Sequence, residues 1–310
     1  MSQSNHGAGN PVAGNPRAGN PAVTNHLTAH HLTANHVEGK VIVITGAGSG
    51  FGRLVSERTA ALGASVVGGD IDAERLTETA ARVADAGGVM ATRVTDVTRY
   101  SDQQALAALA LERFGRIDVM LNNAGTMPLA FYADHAQALS AWERCIDVNI
   151  KGVLYGMLAV HDIMLAQGRG HVINVSSIYG NYPVVGAGVY GASKAAVNVL
   201  SESLRMESQG RIKVTIVKPT GVPATGLAGG IVNPAAVVGI LGHNMASYGA
   251  KMQALAAGQL PAADSDPDSI SYVALGPEWI ADQIVHAINQ PWGVVIGDIT
   301  IRAAGDGYIL

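Results

Sequence analysis

The sequence predicts an α/β fold, a doubly wound parallel β-sheet flanked by helices on both faces. Three observations lead there. From Lys40 onward, short β-branched apolar runs alternate with helix-length stretches. The first run ends in a glycine-rich turn that opens a helix. The composition agrees: with 48% hydrophobic and only 14% charged residues, the chain can bury a sheet on both faces.

The elements follow in order. Val41–Thr45 reads as a first strand, and residues 50–62 have helical spacing up to Gly63. Residues 65–69 form a second strand, and 73–86 a helix stopped by Gly87-Gly88. Val89–Val94 is a third strand, 101–114 a helix ended by Gly115, and 117–121 a fourth strand. A long helix is expected through 142–165, a strand at 171–175 and a helix over 189–207. A strand at 212–217, a helix at 278–289 and a short strand at 294–296 complete the pattern. Parallel sheets of this kind bind ligands at the carboxyl ends of their strands. The stretch 220–277 breaks the rhythm and is expected to form a substrate lid with one or two short helices.

Residues 1–37 differ from the rest. Ala8-Gly9-Asn10-Pro11 recurs as Ala13-Gly14-Asn15-Pro16 and Ala18-Gly19-Asn20-Pro21, a turn-forming repeat without helix or strand periodicity. The expected organisation is a flexible extension over 1–37 and one catalytic domain over 38–310. The extension lacks the cationic start and apolar core of a secretory signal. His6, His26, His30, His31 and His36 fall within it, but no cysteine or carboxylate there completes a metal site. The other histidines show no ligand spacing, so no metal is expected. A net charge of −4 argues against a nucleic-acid partner. No uninterrupted apolar run reaches membrane-spanning length, so no membrane partner is expected. The lone Cys145 excludes an internal disulfide framework and fits a reducing, cytoplasmic setting.

The turn Thr45-Gly46-Ala47-Gly48-Ser49-Gly50-Phe51-Gly52 has the strand–turn–helix context of a pyrophosphate site. Its glycines let the backbone approach phosphates, and the helix N-terminus favours their charge. Asp70 ends the second strand, eighteen residues past Gly52, where a carboxylate can accept hydrogen bonds from an adenosine ribose. Asp72 adds a second negative charge, and Ser49 offers no cation. A 2′-phosphate would meet repulsion and no partner, so NAD is expected rather than NADP. Asp72 also suits the role of helix cap.

Tyr190 and Lys194 stand four apart on one helical face. A free tyrosine titrates near pH ~10, and bringing it down by about three units requires about 4 kcal/mol. One cation at about 4 Å and an effective dielectric of about 20 supplies an interaction of that size. The pair can therefore make a phenol into an acid/base.

Together, Thr45–Gly52, Asn122-Asn123-Ala124-Gly125, Asn149, Ser177, Tyr190 and Lys194 resemble the short-chain dehydrogenase/reductase family in order and spacing, over about residues 39–310. The resemblance implies a Rossmann-like domain. It implies that Gly46, Gly48, Ser49, Gly50, Phe51 and Gly52 cradle the cofactor. Asp70 and Ile71 would meet the adenosine ribose, and Asp96 and Val97 the adenine. Asn123, Ala124 and Gly125 would support the nicotinamide half, and Pro219, Thr220 and Val222 would lie on its side. Tyr190 would be the catalytic acid/base, with Lys194 binding the ribose and lowering the tyrosine pKa. Asn149 would hold a relay water. Ser177 would stabilise the substrate oxygen, thirteen residues before the tyrosine, with strand alternation turning Ser176 away. Thr220 departs from the family, which usually has glycine there. Family members are commonly dimers or tetramers built on the long helices, so a homo-oligomer is expected, and the end of the chain (305–310) could reach a neighbour.

Met127, Ile178, Tyr179, Tyr182 and Val184 are the expected substrate contacts, mostly apolar, and between 220 and 260 the only cation is Lys251. The expected activity is NAD-dependent interconversion of a hydrophobic secondary alcohol and its ketone. One alternative is an NADPH-dependent biosynthetic ketoreductase. Another, of a different class, is a non-catalytic dinucleotide sensor, for which Asn149, Ser177, Tyr190 and Lys194 would be superfluous.

Overall fold

The computed structural model describes residues 34–223 and 225–309. The expected N-terminal extension lies almost wholly outside the described residues. The compact unit described begins at Asn35. Val37 is fully buried, and the His36 N–H donates to Asn289 Oδ1 at 2.7 Å.

The strands are β1 (Val41–Thr45), β2 (Ser65–Asp70), β3 (Val89–Val94), β4 (Val119–Asn122), β5 (Gly170–Val175), β6 (Ile212–Pro219) and β7 (Asp298–Ile301). Among the described residues they form one seven-stranded sheet in the order β3-β2-β1-β4-β5-β6-β7. Every pairing is parallel. The order reverses direction between β1 and β4, and the loops after these two strands open a crevice there.

The helices are α1 (Gly50–Ala61), α2 (Ala73–Asp85), α3 (Tyr100–Phe114), α4 (His135–Ile146), α5 (Gly152–Ala166) and α6 (Gly188–Glu207). Then follow α7 (Val238–Leu241), α8 (Met245–Ala256), α9 (Ala262–Ser265) and α10 (Pro277–Ile288). Helices α1, α2 and α10 cover one face through Val55, Leu76 and Ile284, each 2% exposed or less. Helices α3, α5 and α6 cover the other through Leu106, Val160 and Val197, each fully buried. Each such side chain contributes about 1.5–3 kcal/mol of burial. That two-sided cover explains why central strands such as β1 and β4 read as apolar runs, while the edge strands β3 and β7 stay partly exposed.

Three expectations need correction. The last strand is Asp298–Ile301, not 294–296. Its position is held by β6, where Ile216 N–H donates to Gly297 O at 2.9 Å. Val294 and Val295 instead stay 48% and 44% exposed. The long helix starts at His135 and contains a π-helical turn, Asp147–Lys151, between α4 and α5. A wider turn inserts residues without changing the apolar pattern, so spacing does not announce it. The lid holds more structure than one or two helices. It contains α7, α8, α9 and tight turns at Gly226–Gly230, Pro234–Val237 and Gly242–Asn244.

The rod spanning 132–166 is long and apolar enough to cross a membrane by length and composition. Its Val153, Met157, Val160 and Met164 are spent on the sheet and α3, as in the core helix of a globular domain.

Candidate active site

At the carboxyl ends of β1, β2, β4, β5 and β6 lies a cavity of about 910 Å³. Gly46, Ser49, Gly50 and Phe51 line it from the first turn, and Asp70, Ile71, Asp96 and Val97 from the loops after β2 and β3. Asn123, Ala124 and Gly125 contribute from the loop after β4, with Pro219, Thr220 and Val222 after β6. Ser177, Tyr190 and Lys194 face the same space, as do Met127 and Tyr179. The topology thus gathers residues from most of the chain at one crevice.

Gly48, Gly52 and Asn149 stand behind this wall. A side chain on Gly52 would strike the Gly46 carbonyl, so the turn can close only around glycine. The Gly48 N–H donates to Asp70 Oδ2 at 2.8 Å, and the Asp72 N–H to Asp70 Oδ1 at 3.0 Å. Each carboxylate oxygen keeps a lone pair for a ribose hydroxyl. Asp72 caps α2 by accepting from Arg75 N–H at 3.1 Å.

These features fit a dinucleotide. The cradle brings bare backbone to the N-terminus of α1, where a pyrophosphate would be stabilised. Thr220 Oγ1 is buried without a hydrogen-bond partner among the described residues. It offers an open polar contact on the nicotinamide side.

Tyr190 and Lys194 sit on α6, 2% and 4% exposed. Lys194 Nζ donates to Val175 O at 2.8 Å and lies 5.9 Å from the Tyr190 ring centroid. Burial lowers the lysine pKa to about 8. Burial raises the Tyr190 phenol above its ordinary value, and the hydrogen bond from Ser177 pulls the other way. The expectation that Lys194 alone brings the tyrosine down does not hold in the free protein. Desolvation penalises phenolate, and the ammonium is directed at a carbonyl. Burial thus holds the phenol neutral and makes the lysine give up its proton more readily than an exposed one.

Asn149 sits in the π-helical turn and is fully buried. Its Oδ1 accepts from the Thr126 N–H at 2.9 Å, and its Nδ2 donates to Thr126 O at 2.9 Å and to Ser193 Oγ at 3.0 Å. The Ser193 hydroxyl in turn donates to the Tyr190 carbonyl at 2.7 Å. The amide is a brace. A methyl on Gly125 would stand 3.4 Å from Asn149 Oδ1 and 3.6 Å from Lys194 Nζ, so a small hollow borders both.

Both serines line the cavity, contrary to the strand-alternation argument, because both lie past the end of β5. Their hydroxyls still diverge. Ser176 Oγ donates to the Lys194 carbonyl at 3.1 Å, whereas Ser177 Oγ accepts from Tyr179 N–H at 3.3 Å and reaches the Tyr190 phenol.

Three expected substrate contacts fall elsewhere. Ile178 and Val184 are buried with Leu129, Ala236 and Ile240 in an apolar cluster beneath the lid. Tyr182 is 60% exposed and outside the cavity. Other lining residues have no local signal in the sequence. Tyr248 on α8 and Tyr308 in the C-terminal tail both face the cavity. The tail folds back on its own lid, with Ile309 N–H donating to Ile240 O at 2.9 Å. Arg75 also lines the cavity, on the first turn of α2 and paired with Asp72 at 3.2 Å. Its place five residues past Asp70 could have revealed it, and it is a cation on the same stretch of wall as Asp70.

Among the described residues, no cluster of three or more histidine, cysteine or acidic side chains could hold a metal ion.

Known proteins align with this architecture. The short chain dehydrogenase family model matches residues 40–251. An uncharacterized oxidoreductase of Staphylococcus saprophyticus is 34% identical over 86% of this chain and 96% of its own. A short-chain dehydrogenase/reductase from Burkholderia phymatum, solved with NAD, is 30% identical with a TM-score of 0.67, covering 86% of this chain and 89% of that one. A metagenomic short-chain oxidoreductase solved with NADP is 26% identical with a TM-score of 0.65, covering 86% and 98%. Fold, motif geometry and these likenesses agree: the chain belongs to the short-chain dehydrogenase/reductase family of oxidoreductases.

Proposed function

We propose that the protein is an NAD-dependent oxidoreductase that interconverts a hydrophobic secondary alcohol and its ketone. The observation that carries this reading is one continuous cavity. The glycine cradle and Asp70 stand at one end, and Ser177, Tyr190 and Lys194 border an apolar wall at the other. A nicotinamide dinucleotide, when bound, supplies the hydride acceptor or donor. The chain's own residues do the rest. Ser177 and Tyr190 hold the substrate oxygen, and the phenol gives or takes its proton. Lys194 and the Asn149 brace keep the phenol in place. Asp70 favours a free ribose at the adenosine end. Between Pro219 and Tyr308 no charged side chain lines the cavity among the described residues, so the lid's share of the lining disfavours an anionic substrate, although Arg144 of α4 does line it.

Dinucleotide reduction over a panel of apolar secondary alcohols and sugar phosphates, with NAD and NADP, tests the reading. NAD reduction with apolar alcohols that is lost in Tyr190→Phe is expected. Turnover of sugar phosphates alone, or full activity in Tyr190→Phe, overturns it. A second reading, an NADP-dependent ketoreductase, draws on Arg75 at the adenosine end.

We also propose self-association through the long helices. Leu139, Ile146 and Leu158 on α4 and α5, with Val199 and Met206 on α6, remain 43–70% exposed, more apolar surface than helices facing only water need. Light scattering on Val199→Glu, expected to give a smaller species than the parent, checks this.

A further inference from the structure

The substrate end of the cavity carries a feature that hydride transfer does not use. Tyr248 comes from the lid helix α8, and Tyr308 from the C-terminal tail. Their hydroxyl oxygens are 3.1 Å apart, their rings pack with centroids at 5.7 Å, and both line the cavity. Among the described residues, each hydroxyl has only the other as a hydrogen-bond partner. The shared bond consumes one of the pair's two protons and one lone pair. One O–H donor and several acceptor sites are left facing a largely apolar space.

The pair is built. Arg302 and Asp306 bridge at 2.7 Å, Arg302 also donates to Tyr308 O at 3.1 Å, and the Tyr308 N–H donates to Asp306 Oδ1 at 3.2 Å. Asn244, at the start of α8, donates to Gly307 O at 2.9 Å and ties tail to lid. Gly221, just past β6, makes room: a side chain there would collide with the Tyr308 hydroxyl. The cavity that the pair lines is walled by Met127, Ile231, Val237 and Leu255, with Arg144 and Thr225 as polar exceptions. Leaving an oxygen pair among them costs desolvation unless something polar meets it. Tyr179 lines the same cavity, its ring 5.4 Å from that of Tyr190 in an edge-to-face contact.

We propose that Tyr248 and Tyr308 form a hydroxyl clamp, and that the substrate is an uncharged, dioxygenated compound. Besides the reacting carbinol or carbonyl, it carries a second hydroxyl or carbonyl across an apolar body, and that oxygen is bound by the clamp. This rests on the alcohol–ketone reading above and adds the second oxygen. The clamp is a specificity element: it sets which molecules dock, while Ser177 and Tyr190 act on the reacting oxygen.

Matched pairs of increasing span test it: cyclohexanol against its para diol, phenylethanol against its para-hydroxy analogue, and decalol against a decalindiol. Wild type is expected to favour the dioxygenated member of at least one pair by about tenfold or more in kcat/KM, the scale of one well-placed hydrogen bond. Tyr248→Phe and Tyr308→Phe each keep the ring and remove one oxygen. Each should cut that preference severalfold, and the double variant should bring it close to one, with melting curves confirming that the variants fold. Turnover of both members without preference, or a preference that survives the double variant, overturns the clamp while leaving the alcohol–ketone reading standing. If no member of any pair is turned over with either dinucleotide, the alcohol–ketone reading fails and the clamp fails with it.

Discussion

Asn149 grips Thr126 of the cavity wall by both of its backbone groups: its side chain accepts from the Thr126 N–H and donates to the Thr126 carbonyl, each at 2.9 Å. Asn149→Asp keeps the shape and the acceptor but loses the donations to Thr126 and Ser193. It also sets a carboxylate against a carbonyl in a fully buried place. A buried acceptor left unmet costs about 1–3 kcal/mol. Urea unfolding should show a loss of that size, and kcat should fall because the Thr126 wall and the Ser193–Tyr190 bond lose their anchor. An unchanged unfolding midpoint would remove the brace from this account.

The opposed titrations of Tyr190 and Lys194 give a second expectation. With no dinucleotide present, the phenolate absorbance lost in Tyr190→Phe should appear only above pH ~10, the ordinary tyrosine value. The signs for stability differ between the two groups. Lys194 has a folded pKa of about 8, below its unfolded value of 10.5. Between those values the unfolded chain binds more protons, so stability rises with pH there. Tyr190 has its folded pKa raised, so above pH ~10 the unfolded chain binds fewer protons and stability falls. Lys194→Met should flatten the rising limb, and Tyr190→Phe the falling one, in unfolding midpoints taken across alkaline pH. A rising limb identical in wild type and Lys194→Met would refute the buried-lysine argument.

How far the sequence reaches depends on whether the signal is local. β1, β2, β4, β5 and β6 were legible because helices cover both faces, which leaves short apolar runs, whereas the exposed edge strand β3 was legible from its β-branched residues after Gly87-Gly88. The cofactor end was legible for the same reason: Gly46 to Gly52 and Asp70 lie within two successive β-α turns. β7 was not, since its four residues, Asp298–Ile301, alternate in exposure at the sheet edge, while the more apolar Val294-Val295-Ile296 beside them packs as loop. The π-helical turn at Asn149 leaves no trace in periodicity. Tyr308 reaches the cavity only because the tail returns to α8, a tertiary event with no local code. Ile178 and Val184 were placed in the pocket by nearness to Ser177 along the chain, but burial among Leu129, Ala236 and Ile240 claims them.

Ser176 and Ser177 are neighbours with separate duties, and alanine should divide them. Ser177→Ala removes the hydroxyl that reaches the Tyr190 phenol. It should lower kcat about a hundredfold, the scale of losing one donor to a developing oxyanion, with little change in melting temperature. Ser176→Ala removes the 3.1 Å bond to the Lys194 carbonyl. It should cost about 1 kcal/mol in unfolding and less than tenfold in kcat. Equal kinetic losses from both would mean that both hydroxyls meet the substrate.

Asp70 and Arg75 line the same cavity, and on the proposed NAD reading they would pull cofactor choice in opposite directions. The carboxylate, held by the Gly48 and Asp72 N–H groups at 2.8 and 3.0 Å, suits a ribose with both hydroxyls free. The guanidinium of Arg75 is 61% exposed and bound to Asp72 at 3.2 Å, so it can be drawn toward a phosphate at modest cost. Asp70→Ser removes the repulsion and the ribose acceptor together. It should lower kcat/KM with NAD by about tenfold or more, on the scale of losing a charge-assisted hydrogen bond, and raise it with NADP. In the double variant Asp70→Ser/Arg75→Ala the NADP gain should disappear while the NAD loss stays, because only the phosphate uses the arginine. If the NAD-to-NADP ratio does not move in Asp70→Ser, the carboxylate is not the selector, and its bonds to Gly48 and Asp72 serve the turn alone.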